Sequence, residues 1–302
     1  MIDFRYHLVS LVAIFLALTV GLVLGATALQ HPGVSGSLTR LTGEDRSQVD
    51  SLQQRARRGD QFAEQVAPTL VAGALAQKKV LLVTTADTPA ELTEQTTPLL
   101  EQAGATLTGR LRLLPALSAP DSRPLVADLV ARALPPGLTL PKGEPIDQAG
   151  AELAAALTVA PSEKAISAQD AQSVVSAYTE ADLVRLVPQG GALTRADLVL
   201  VLTGSDADDV SATVLRLASS FDDGSAGVVV AQADADTAAD TGPVAALRKD
   251  AGVAGAVSGV DGAARPAGRV AAVLALAEQA RGGAGQYGAG AGASAPLPSS
   301  RP

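Results

Sequence analysis

The sequence has no cysteine and no tryptophan, one methionine (Met1) and two histidines, His7 and His31. Without cysteine there is no disulfide, no thiol nucleophile and no thiolate metal site. With both histidines before residue 32, neither a histidine-based triad nor a histidine zinc set is available to the rest of the chain. Aromatic residues make up 2% of the chain, so stacking platforms for single strands are missing. A formal net charge of -8 leaves no basic surface for phosphate backbones, and no nucleic-acid partner is expected. The first strand-to-helix turn, Thr84-Thr85-Ala86-Asp87-Thr88, has no glycine and so no phosphate-cradling GxGxxG, and the GxxxxGK loop followed by Ser or Thr and the GxSxG elbow do not occur.

Charge is also missing locally. Residues 8–29, LVSLVAIFLALTVGLVLGATAL, carry none. At 1.5 Å per residue a helix of that length spans about 33 Å, enough for a hydrocarbon core of about 30 Å. Backbone groups in lipid must bond to one another, which favours a helix. The expectation is a single-pass anchor over residues 1–30. A cleaved signal segment is the alternative: Arg5 gives a positive start and Ala26-Thr27-Ala28 has the small-x-small form, although the run exceeds the usual stretch of about 7–15 apolar residues. Either way the bulk of the chain is expected outside the cytoplasm, and the flanking charges lean towards a cytoplasmic N-terminus. Ala13, Ala17, Gly21 and Gly25 recur every four residues as a helix-pairing face, Gly21 to Gly25 forming a GxxxG.

What the chain does have is apolar bulk, 47% of residues, supplied mainly by Ala, Val and Leu. His31-Pro32-Gly33 is expected to break or kink the helix, and residues 31–77 read as a helical stalk. Val49, Leu52, Ala56, Gly59, Ala63, Val66 and Leu70 alternate spacings of 3 and 4, the a/d pattern of a short coiled coil, weakened by its small residues. A homo-oligomer through anchor or stalk is expected.

From residue 78 to 281 the pattern is α/β. Val80-Leu81-Leu82-Val83 is a short continuous apolar run of the buried parallel kind. Thr88-Pro89-Ala90-Glu91 reads as a capped helix start, with the helix running to about Ala103. A strand is expected at 106–113 and a helix at 121–134. Residues 135–190, rich in proline, read as an irregular insertion or lid, with helical patterns near 146–158 and 168–180. Strands follow at 198–202, 228–231 and 253–257, with helices at 207–220, 243–250 and 267–281. Alternation of this kind implies a degenerate doubly wound, Rossmann-like parallel sheet. Residues 282–302, nearly all Gly, Ala, Ser and Pro, read as a disordered tail.

One constellation carries chemistry. Asp206, Asp208 and Asp209 follow one strand; Asp234, Asp236 and Asp240 follow the next. Such loops face the ligand crevice of a doubly wound sheet. Asp206, Asp208, Asp234 and Asp236 are therefore the candidates for a hard divalent cation. The simpler reading is helix capping, since a carboxylate is stabilised at a helix N-terminus. No other cofactor and no catalytic residue is indicated, and the chain is expected not to be an enzyme.

The opening MIDFRYHLVSLVAIFLALTVGLVLG and the closing RPAGRVAAVLALAEQARGGAGQYG resemble the two ends of the actinobacterial MctB family, and the layout between them is similar. The resemblance implies a membrane-anchored envelope protein of copper efflux or homeostasis, with copper as a transported or sensed ion. Through SteB-like members the alternative is a non-enzymatic scaffold that binds a cell-division partner of the SteA type and regulates cell-wall hydrolysis. It carries over no catalytic or metal-ligating residue. Inner and outer membrane, and pore and scaffold, stay open. The residues themselves favour a scaffold: one helix cannot enclose a channel, soft copper ligands are missing, and no run of alternating barrel strands is present.

Overall fold

The computed structural model describes residues 32–159, 166–204, 208–234 and 241–299, with side chains from Gln48 onward except that of Asp208. The candidate anchor and its pairing residues Ala13, Ala17, Gly21 and Gly25 lie outside these. The chain divides into two units, 1–59 and 60–302. In the first, the described residues belong to helix α1 (Pro32–Val71), in which Pro32 and Gly33 are themselves helical. Among the described residues no helix is long and apolar enough to cross a membrane.

The second unit begins with the end of α1, which buries Ala67 and Val71. Then come β1 (Lys79–Thr84), α2 (Ala90–Gln102), β2 (Thr106–Leu113), α3 (Pro115–Ser118), a 3-10 turn (Pro120–Ser122) and α4 (Arg123–Ala133). They are followed by α5 (Pro145–Leu157), α6 (Ala168–Glu180), β3 (Val184–Pro188), β4 (Leu198–Thr203), α7 (Asp208–Asp223) and β5 (Val228–Gln232). The last elements are α8 (Pro243–Lys249), α9 (Ala251–Ala254), β6 (Ser258–Val260), α10 (Pro266–Gln279) and β7 (Gln286–Tyr287).

Seven strands form one sheet in the order β3-β2-β1-β4-β5-β6-β7. All neighbours are parallel except β2 and β3. The sheet is thus mixed, where the sequence pattern predicts a parallel one. An antiparallel β3 ends where β2 begins, so residues 189–197 can run directly to the start of β4. Two backbone bonds hold that return, Gln189 N–H to Thr108 O and Asp197 N–H to Lys79 O.

Side-chain alternation divides the core. On one face, Leu81, Val83, Val199, Val201, Val228 and Val230 pack under α4 to α8. On the other, Val80, Leu82, Leu198, Leu200, Leu202 and Val229 pack under the end of α1, α2 and α10. Both central strands are buried on both sides, which is why they read as unbroken apolar runs. The stretch at 135–190 is no lid: α5 is a core helix that buries Leu153 and Leu157, and β3 extends the sheet.

The Gly-rich tail is a second departure. Through residue 299 it is ordered, pairing β7 with β6 and Tyr287 with Ala295. Asp261 accepts the Ala289 and Gly290 N–H groups at 2.8 and 3.0 Å. A Cβ at Gly288 would collide with the same carboxylate. The missing side chains are what let the backbone come this close, so the composition that implies disorder here permits a specific contact.

Candidate functional site

In a sheet of this order the crevice opens where β1 and β4 part, beyond their carboxyl ends. Here the loop after β1 is tied to β4. Thr88 Oγ1 donates to Leu202 O at 2.8 Å and accepts from Thr85 N–H at 2.9 Å. Thr85 Oγ1 donates to Asp87 Oδ1 at 2.6 Å, and Arg112 Nη2 donates to Ala86 O at 3.2 Å. The Asp87 carboxylate lies against Gly204 at the end of β4, where any Cβ would strike it. A side-chain carboxylate against the backbone here opposes a phosphate on charge as well as on space. Thr88 therefore serves the tie to β4 and does not cap α2, whose N-cap Pro89 has no side-chain bond.

The acidic loops sit beside this point. Asp208 is the first residue of α7, and Asp234 is exposed just after β5. Because β4 and β5 are neighbours, the topology brings both loops to one edge. Asp206 and Asp236 lie outside the described residues. Among the described residues no three His, Cys, Asp or Glu side chains stand together as a ligand set.

Sequence patterns did not point to two buried ionisable pairs. Glu152 on α5 is fully buried, accepts a hydrogen bond from Tyr178 Oη at 2.7 Å through Oε2, and leaves Oε1 without a partner. Burial pushes its carboxyl up to about 7, against the lowering effect of the Tyr178 bond, and pushes the Tyr178 phenol up as well. The second pair is Arg248 and Asp261, 2.8 Å apart and each with 6% of its side chain exposed. Arg248 also donates to Tyr287 O at 2.7 Å and Ala291 O at 3.1 Å. One signal was available for Glu152: with Ala149, Leu153 and Ala156 it shares the i, i+3, i+4, i+7 face of an apolar helix.

These features define an α/β protein of doubly wound strand order whose loop after β1 is bonded to the end of β4. The profile of the family described as "Copper transport outer membrane protein, MctB" matches residues 1–298, and the chain belongs to that family. It is similar to the protein named Copper transporter MctB of Mycobacterium tuberculosis (strain ATCC 25618 / H37Rv), at 29% identity over 97% of this chain and 98% of the relative. The protein of the same name from Mycobacterium leprae (strain TN) is 28% identical over the same shares of the two chains.

Proposed function

We propose that this chain is a membrane-anchored, non-enzymatic envelope protein of copper homeostasis, held by residues 8–29 and presenting its α/β unit outside the cytoplasm. The supporting observation is the near full-length match to a family whose description names copper transport and the outer membrane. Copper here is cargo or signal. Residues 32–302 contain no Cys, His or Met, so the soft and imidazole ligands of the whole sequence are Met1, His7 and His31, at the ends of the apolar run. The α/β unit then acts as a scaffold, and any direct copper contact falls near the membrane. Cellular copper in a strain deleted for this gene tests the reading: it should rise, and should return to normal with the full chain but not with one lacking residues 1–30. Unchanged copper in the deletion strain would end the copper role. Fractionation with sequencing of the mature N-terminus tests anchor against cleaved signal and names the membrane.

A second reading is favoured by the end of α1. Phe62 is 67% exposed and Leu70 50%, large apolar side chains with no cover among the described residues. They offer a helix-binding surface for a second copy or for a cell-division partner of the SteA type. A pull-down in which removal of residues 38–70 leaves every partner bound would count against it.

A further inference from the structure

A cleft of about 200 Å³ opens where β2 and β4 end, between the Leu117–Arg123 turn, the start of α5 and the first turns of α7. Leu117, Val126 and Ile146 form its apolar wall. Much of its charged lining is already committed. Arg216 Nη1 donates to both carboxylate oxygens of Asp147 at 2.9 Å, and Glu144 caps α5 in a reciprocal box with Asp147.

Three groups are not committed. Thr213 is only 7% exposed, and its hydroxyl, which is open to the cleft and not sealed in the core, has no hydrogen-bond partner among the described residues. Helical threonines ordinarily return that proton to the carbonyl four residues back, as Thr96, Thr97 and Thr179 do in this protein. Arg123 and Asp209 both line the cleft, and neither has an ion-pair partner among the described residues. Arg123 also opens α4, but its own N–H is bonded to Pro120 O and residue 124 is proline, so the side chain and not the helix start is the donor here.

A free cation, a free carboxylate and an unbonded hydroxyl lining one cleft have the polarity of a zwitterion. We propose that this cleft binds a small zwitterion of the α-amino acid class. Its carboxylate rests on Arg123 and Thr213, its ammonium on Asp209, and its side chain on Leu117 and Ile146. A bare phosphate is opposed by Asp209 and Glu144, and a bare amine by Arg123 and Arg216. The volume is below the roughly 300–1,000 Å³ of sites for drug-sized ligands, which limits the occupant to about one residue.

The test is a calorimetric and NMR titration of the full chain in detergent with L-alanine, D-alanine, acetate and inorganic phosphate. Alanine of at least one hand should bind saturably. Arg123→Gln should weaken it about tenfold or more, the effect of losing a charged hydrogen bond. Thr213→Val, equal in shape, should weaken it by a smaller factor. Asp209→Asn should weaken alanine while leaving acetate unaffected. Arg123 and Asp209 are exposed, so those variants keep the fold. No saturable binding by either alanine would overturn the proposal. So would phosphate binding more tightly than alanine, or alanine binding that is unchanged in all three variants. The outcome is independent of the copper reading, which rests on other residues.

Discussion

Two buried ionisable pairs of the unit are treated differently. At the β6 edge, Arg248 and Asp261 neutralise each other, and each also holds backbone of the tail: Asp261 takes two N–H groups, Arg248 two carbonyls. Only Arg248 Nε is left over. Between α5 and α6, Glu152 has one neutral partner and one oxygen with none. A buried charge that is paired and multiply bonded can fasten chain to chain, whereas a buried acid without a cation gives up its charge. The first region is a clamp; the second is a titrating group inside a core.

The largest effect should come from breaking the clamp. Asp261→Ala leaves the Arg248 guanidinium buried and unpaired, a loss of about 3–5 kcal/mol. Chemical denaturation should read that loss, and hydrogen exchange should show residues 286–295 losing protection before the rest of the sheet. If the tail keeps its protection in that variant, the clamp does not order it.

The second region predicts the opposite sign. The folded Glu152 carboxyl titrates near 7 and the unfolded one near 4.5. Between those values the folded state keeps a proton that the unfolded state releases. Stability therefore falls as pH rises from about 4.5 to 7 and then levels, by roughly 3 kcal/mol for a shift of this size. Glu152→Gln should flatten that stretch of the stability-pH curve and raise the melting temperature at pH 8. An unchanged slope in the variant would assign the titration to another group, of which Asp222, raised to about 6 by burial beside Asp223, is the first to examine.

The difference between the regions also marks what the sequence could reveal. The strand at 106–113 and the helix at 168–180 were legible to the residue, because each carries its own signal. The first alternates Leu107, Leu111 and Leu113 with polar residues; the second is capped by Ser167, which accepts from Asp170 N–H at 3.0 Å. The clamp was not legible, because Asp261 orders the tail across about thirty residues and nothing local marks that contact. Residues 253–257 read as a strand from their β-branched ends, yet α9 takes Ala251–Ala254 and the strand starts at Ser258. There Asp250 caps the turn through the Gly252 and Val253 N–H groups, and a local cap outweighs a weak apolar run. β3 lies hidden in a proline-rich stretch because an edge strand needs only one apolar face. Of the candidate site, the topology places the two acidic loops side by side, but Thr213, Arg123 and Asp209 meet only through packing of α3, which leads into α4, against α7.

The switch point provides a third case, bound without buried charge, and the smallest effects. Gly204→Ala forces a methyl against the Asp87 carboxylate and to 2.8 Å from Asp87 O, so the loop after β1 must shift. That overpacking should cost about 1–3 kcal/mol. Thr88→Val keeps the shape and removes only the hydroxyl. Thr85 N–H still reaches Leu202 O at 3.3 Å, so one neutral hydrogen bond is lost, worth about 1 kcal/mol. Because neither partner of that bond ionises, the loss should be the same at pH 5 and pH 9, measured by denaturant midpoint at each. A loss that grows with pH would mean that the tie depends on a charged group, Asp87 through Thr85 being the nearest. The crevice would then be held by electrostatics, as the clamp is, and not by neutral bonds alone.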